Sequence, residues 1–136
     1  MQTLGLALIG VEDFAAGHAQ LDALRARITE RSGADHNDIT QTLDLEGQAL
    51  MEHGKYALAL PLVIESARRR HAEGTDPFAE GYSYSLWGQC QLALGNQVEG
   101  RAHLRRAVAL LETTQPLSTV ALAEAREKLA KSTKAP

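Results

Sequence analysis

The side chains most suited to binding a metal ion lie together once, in the run Asp35-His36-Asn37-Asp38. Carboxylate and imidazole groups are ligands for calcium and zinc, but a closed site needs further ligands at a regular spacing, and none accompanies this run. The other histidines are scattered, with no pair at a short ligand spacing: His18, His53, His71 and His103. We therefore expect no metal site and no cofactor, and we interpret the run as a loop between helices.

Cys90 is the only thiol of the chain and the one candidate for a catalytic cysteine. Such a cysteine needs a neighbouring base, and no histidine is spaced to lie beside it. Neither a glycine-rich phosphate loop nor a nucleophile elbow is present. We therefore expect a non-catalytic protein with Cys90 as a small buried side chain. A cryptic hydrolase is the alternative, and no positive feature supports it.

Composition and charge favour a soluble globular protein. The chain has 136 residues, of which 44% are hydrophobic and 23% charged, with a net charge of −3. Nucleic-acid binding normally requires a basic excess, so we expect no nucleic-acid partner. The apolar opening MQTLGLALIG is too short to span a bilayer, which predicts no membrane partner. A lone cysteine indicates no oxidising compartment, and a cytoplasmic protein is expected.

Turn residues and apolar spacing predict helices throughout the chain. Asp38 is the expected N-cap of the third helix, Gly54 ends it, and Pro116 follows the sixth. Residues 132–136 are expected to fray. The predicted helices span about 3–11, 14–31, 39–53, 56–72, 78–94, 97–113 and 117–131.

Small residues recur along the chain at a constant spacing. Gly5, Gly47 and Gly88 lie 42 and 41 residues apart, and the same two intervals separate Gly17, Ala59 and Gly100. A mid-helix glycine costs on the order of 1 kcal/mol relative to alanine. Its repeated use therefore predicts that pairs of helices approach closely at these positions.

A small residue within one helix, a Gly-Lys-Tyr turn at 54–56 and a small residue opening the next helix resemble the tetratricopeptide repeat. The longer period and the Asp35-His36 and Asp76-Pro77 loops are similar to the kinesin-light-chain variety. The resemblance implies an all-α, right-handed solenoid in one domain, 1–131. It has about three antiparallel helix pairs, at about 1–33, 38–74 and 78–114, and a capping helix at 117–131. Four residues depart from the family pattern: Glu12, Glu46, Gln91 and Gln97.

In that family the first helix of each pair lines a concave wall that binds extended peptides or partner helices. The resemblance thus implies a protein-binding scaffold. Because bacterial kinases and transcription factors carry similar arrays, it also makes the chain a candidate for the C-terminal part of a larger regulator. Trp87 is either an anchor for the partner or a core residue. The wall positions carried over by alignment are Gln41, Asp44, Gln48, Met51, Tyr82, Ser85, Gln89 and Leu92, with Leu6 and Ile9 extending them.

Two other interpretations remain open. The alignment indicates a shortened first helix, so its apolar side chains favour a homodimer that assembles through this N-terminal helix. The second helices of the pairs carry most of the arginines, which either form a convex basic stripe for an acidic partner or solvate an outer face. The side chains concerned are Leu4, Leu6, Leu8 and Ile9 for the first interpretation, and Arg25, Arg27, Arg31, Arg68, Arg69, Arg70, Arg101, Arg105 and Arg106 for the second.

Overall fold

The structure, a computed structural model, describes residues 13–134. Helices cover most of this range and no strand occurs within it, which confirms the all-α prediction. The predicted helix at 3–11, with Gly5 and the apolar side chains assigned to a dimer contact, lies outside the described residues. The helices are α1 Phe14–Ser32, α2 Asn37–Glu52, α3 Tyr56–Glu73, α4 Pro77–Ala93, α5 Gln97–Glu112 and α6 Thr119–Lys134.

Polar side chains cap three helix starts. The Asp13 carboxylate accepts a hydrogen bond from Ala16 N at 3.2 Å, and Asp76 accepts one from Ala79 N at 3.0 Å. The prediction of Asp38 as the N-cap of α2 is wrong. His36 takes that place, because its Nδ1 accepts from Asp38 N at 3.1 Å and the helix already begins at Asn37.

The last helix starts and ends later than predicted. Ser118, fully buried, donates its hydroxyl to the Leu111 carbonyl and so holds the preceding segment against the end of α5. At the other end the predicted fraying is wrong for residues 132–134, which are helical. Arg101 Nη2 donates to the Ser132 carbonyl at 3.0 Å, and this bond ties the last turn to α5.

The observed helices keep the period of the sequence. α1, α3 and α5 begin at Phe14, Tyr56 and Gln97, which are 42 and 41 residues apart. α2, α4 and α6 form a second series with nearly the same period, so α6 occupies the place of a further first helix. None of the helices between residues 13 and 134 combines the length and apolarity that a membrane crossing requires.

The chain groups into two compact units, with the boundary between Ser66 and Ala67 inside α3. In unit 1, up to Ser66, α1 packs on α2, and the buried apolar side chains are Leu21, Ile39, Leu43, Leu50, Ala59 and Val63. In unit 2, from Ala67, α4, α5 and α6 pack on one another, and the core cluster comprises Ala67, Tyr84, Leu104, Ala107, Leu111, Leu122 and Ala125.

The predicted close approach of helices is present in both units. In unit 1, a Cβ added at Gly47 would lie 2.7 Å from Val63 Cγ1 of α3. In unit 2, a Cβ at Gly88 would lie 2.8 Å from the Gly100 carbonyl oxygen of α5, and one at Gly100 would lie 3.0 Å from the Gly88 carbonyl. The contact between Gly88 and Gly100 is between backbone atoms, so an added side chain could be accommodated only by moving a helix.

We predict that Gly88→Ala lowers the free energy of unfolding by about 1–3 kcal/mol, because the added methyl group meets backbone atoms. Gly47→Ala should cost less, because its methyl group meets one side-chain atom, Val63 Cγ1, rather than backbone atoms, and alanine gains helix propensity. Ala109→Ser, at an exposed position of α5, is the control. Urea unfolding followed by circular dichroism measures all three, and equal stability of the Gly88 and Gly47 variants would contradict the prediction.

Candidate functional site

The predicted wall positions on α2 differ in exposure. Gln41 is exposed, and Gln48 and Met51 are half-buried. Asp44 is buried, and its Oδ1 accepts a hydrogen bond from Ser66 Oγ at 2.5 Å. The Asp44 carboxylate is therefore bound within unit 1, and the other three side chains are the ones that α2 presents.

On α4 the predicted positions also divide into exposed and packed residues. Tyr82 and Gln89 are half-buried, whereas Ser85 is buried and accepts a hydrogen bond from Gln89 Nε2 at 3.0 Å. Leu92 packs against α5, with Cδ2 2.9 Å from the position of a Cβ on Gly100. We call the two presented side chains of α4, Tyr82 and Gln89, the A face; the presented side chains of α2, in unit 1, are Gln41, Gln48 and Met51. Leu6 and Ile9 lie outside the described residues.

Glu46, which departs from the family pattern, is a buried charge in unit 1. Its side chain is 1% exposed, and it receives Arg25 Nη2 at 2.7 Å and His18 Nδ1 at 2.6 Å. Arg25 is itself buried and lies 3.5 Å from Thr42 Oγ1. A buried carboxylate is tolerated because these donors satisfy it, and the pair fixes how α1 lies on α2.

Unit 2 has a comparable arrangement around Glu80 of α4. The Glu80 side chain is 9% exposed, His71 Nδ1 lies 3.0 Å from its Oε2, and Arg106 Nη2 lies 3.8 Å from the same oxygen. The Arg106 guanidinium also covers the Tyr84 ring, 4.6 Å from its centroid. In both units, therefore, a buried carboxylate on a first helix is bound by an arginine and a histidine of second helices.

These contacts bear on the proposed convex basic stripe. Arg25 and Arg106 bind carboxylates of first helices, and Arg101 binds the Ser132 carbonyl of α6. Five of the nine arginines assigned to the stripe are nevertheless exposed: Arg27, Arg31, Arg68, Arg105 and Arg106. Some of the arginines thus join helices to one another, while others are exposed, and the convex basic stripe stays a prediction.

An aromatic stack joins α4 to α5, and sequence reasoning missed it. The Trp87 and His103 rings stack with centroids 3.8 Å apart and an interplanar angle of 19°. Tyr84 is nearly parallel to both, at 5.9 Å from Trp87 and 6.0 Å from His103. The one signal in the sequence was Gln91, a departure from the family pattern: its Oε1 accepts from His103 Nδ1 at 2.6 Å, and its Nε2 donates to Glu99 at 3.0 Å.

The surroundings of His103 disfavour its charged form. The pKa of His103 is lowered below its ordinary value of 6.5, mainly because burial removes the ring from water. Glu99 acts in the opposite direction and raises the pKa, and the positive charge of Arg106 lowers it further. His103 is therefore neutral at physiological pH, and its Nδ1–H is held by Gln91.

The thiol and the metal-capable residues form no reactive site. Burial raises the pKa of the Cys90 thiol to about 12, which disfavours the thiolate that nucleophilic chemistry needs. Of the residues for which the structure gives positions, no three histidine, cysteine or acidic side chains come together in a way that could hold a metal ion.

Removing one partner of the buried pair in unit 1 should be costly. We predict that Glu46→Ala lowers the free energy of unfolding by about 3–5 kcal/mol, because Arg25 is left buried without its counter-charge. Combining Arg25→Met with Glu46→Leu should recover most of that loss, since leucine is the residue that the family pattern places there. Glu112→Ala, which breaks the exposed pair with Arg126, should cost less than about 1 kcal/mol. The prediction is contradicted if Glu46→Ala lowers the free energy of unfolding by no more than Glu112→Ala does.

His103 should make the stability depend on pH. Its pKa is lower in the folded than in the unfolded chain, so its contribution is complete above pH 6.5 and declines as the pH falls towards the folded value. We predict that the free energy of unfolding of the wild type decreases more steeply than that of His103→Gln between pH 6.5 and about pH 5. Urea unfolding at each pH measures both slopes, and parallel slopes would refute the assignment.

Comparison with known proteins adds no family to this description. No family model matches the chain, and neither the curated proteins nor the solved structures contain a match. The resemblance to the tetratricopeptide repeat therefore depends on the residues of this chain and on the contacts between its helices.

Proposed function

We propose that this protein is a non-catalytic scaffold of the tetratricopeptide type, a right-handed solenoid that binds a peptide segment or helix of another protein along the A face. The main observation in support is the difference in burial between neighbouring side chains of α4. Ser83, Tyr84, Ser85 and Leu86 are buried, whereas Tyr82 and Gln89 keep exposed surface on one side of the helix. Residues seven apart lie nearly two turns apart on the same side, so the pair forms one strip.

The side chains of this strip fit recognition of a peptide. Gln89 Nε2 donates to Ser85 Oγ, which orients the amide and leaves its carbonyl oxygen to accept from a peptide N–H. Tyr82 offers an aromatic surface of the kind that anchors interfaces. α4 is held by the close contact at Gly88 and by the buried Glu80, so the strip is preorganised and binding orders few scaffold side chains.

A close contact at a glycine of α2 recurs at a glycine of α4, which supports a repeated array of helix pairs. Gly47 faces Val63 in unit 1 as Gly88 faces Gly100 and Leu104 in unit 2. The alternative function, homo-oligomerisation through the N-terminal helix, concerns residues outside the described range and stays a prediction. Static light scattering over a dilution series tests it, because a monomer at every concentration contradicts assembly.

Peptide binding is tested by selection from a random linear peptide display library on the full chain, followed by titration of the recovered peptides. We predict that Tyr82→Ala combined with Gln89→Ala weakens binding by at least about tenfold, the loss of roughly 1.4 kcal/mol expected of one anchoring side chain. The circular dichroism spectrum should not change, because neither side chain lies in the core.

The matched control is Arg105→Ala, which removes an exposed side chain of α5 and should leave the affinity unchanged. If the selection yields no peptide, or if the double variant binds the recovered peptides as well as the wild type does, the A face is not a peptide-binding site.

A further inference from the structure

We propose that the exposed side of α2, in unit 1, binds a basic amphipathic helix of another protein. The partner helix places an apolar side chain on Leu45 and positive charges against the carboxylates of Asp38 and Glu52. We call the row Asp38, Gln41, Leu45 and Glu52 the α2 stripe. The inference concerns unit 1 alone and does not rest on peptide binding at the A face of α4.

Two sides of α2 are already occupied within unit 1. On one side, the Glu46 carboxylate is bound by Arg25 of α1 at 2.7 Å. On another, Gly47 lies against the Val63 side chain of α3. Successive residues of a helix are rotated by about 100°, which places the α2 stripe on the side away from both contacts. This side is therefore the one that α2 offers to another molecule.

The α2 stripe presents an apolar side chain between two carboxylates. Leu45 follows Asp38 by seven residues and precedes Glu52 by seven, so successive members of this trio lie nearly in line and about 10 Å apart. Leu45 is 40% exposed, and the Asp38 side chain is 61% exposed. Gln41 and Glu52 are exposed as well. A spacing of seven residues is the one that a second helix lying along α2 can follow.

The basic groups next to the α2 stripe are directed elsewhere. The helix itself contains no histidine, lysine or arginine. Lys55, in the following turn, holds its ammonium group 5.2 Å from the centroid of the Phe14 ring. His36 lies 3.7 Å from Asp38 Oδ2 through its Nδ1, but this nitrogen accepts a hydrogen bond from Asp38 N and so brings no proton to the carboxylate. The two carboxylates of the stripe are thus available to cations of a partner.

The charge of unit 1 acts in the same direction. Residues 13–66 include nine acidic and four basic residues, and one of the four, Arg25, is buried against Glu46. The resulting negative potential attracts a basic segment to this unit and repels an acidic one. Burial of Leu45 by an apolar side chain supplies affinity for either kind of helix, whereas the exposed carboxylates decide between them. The partner is therefore selected by its positive charge.

The experiment uses three helical peptides titrated against the full chain, with Kd measured by fluorescence anisotropy. Each peptide has about 21 residues, mainly alanine and glutamine, with blocked termini and a leucine at its centre. The residues seven positions to either side of the leucine are arginine, glutamine or glutamate. At about 0.05 M salt we expect the arginine peptide to bind at least about threefold more tightly than the glutamine peptide, and the glutamate peptide to bind most weakly. The differences should shrink at about 0.5 M salt, because salt screens exposed charges.

Variants locate the binding on the α2 stripe. Glu52→Gln removes one charge at nearly constant volume, so it should weaken binding of the arginine peptide about twofold or more and leave the glutamine peptide unaffected. Glu30→Gln makes the same change at an exposed position of α1 and is the matched control, with no loss expected. Leu45→Ala should weaken binding of all three peptides while the circular dichroism spectrum stays unchanged.

Four results would overturn the inference. They are no binding of the arginine peptide at about 1 mM, equal affinities for the three peptides, equal losses in Glu52→Gln and Glu30→Gln, and no loss of binding in Leu45→Ala. Static light scattering tests whether a second copy of the chain is the occupant, because self-association of the wild type that Glu52→Gln abolishes would replace the basic helix by a self-contact. Failure of peptide selection at Tyr82 and Gln89 is a separate result, which removes the proposed function and leaves the α2 stripe untouched.

Discussion

The contact between Gly88 of α4 and Gly100 of α5 is the constraint on which unit 2 depends. Each glycine lies so close to the carbonyl of the other that neither position has room for a side chain. The approach brings the Trp87 ring onto His103 and seats Leu92 beside Gly100. Fixing α4 in this register also determines which of its side chains are buried and which, such as Tyr82 and Gln89, keep exposed surface.

Buried polar groups add specificity to this packing. Apolar contacts alone permit helices to slide or rotate against one another, whereas a buried carboxylate is satisfied in only one register. Glu46 meets Arg25 and His18 in unit 1, and Glu80 meets His71 and Arg106 in unit 2. The distribution of charge between helices therefore has a structural reason: acidic first helices pair with basic second helices.

Much of the fold was predictable from the sequence because local signals and the repeat agree. The glycine spacing located the close contacts, and the turn glycines placed helix ends to within about two residues. The departures from the predicted helix ends have one distant and one local cause. Ser132 is helical because Arg101 binds its carbonyl, and the cap of α2 moved because an imidazole replaced a carboxylate. The predicted wall included Asp44 and Ser85, whose burial depends on hydrogen-bond partners that helical periodicity cannot reveal.

The stack of Trp87 on His103 gives the molecule an intrinsic optical probe. Trp87 is the one tryptophan of the chain, and it lies wholly within unit 2. Its emission will therefore report on the α4–α5 contact alone, while the far-ultraviolet signal averages over every helix. Comparing the two signals during unfolding distinguishes a chain whose units melt together from one in which the second unit opens by itself.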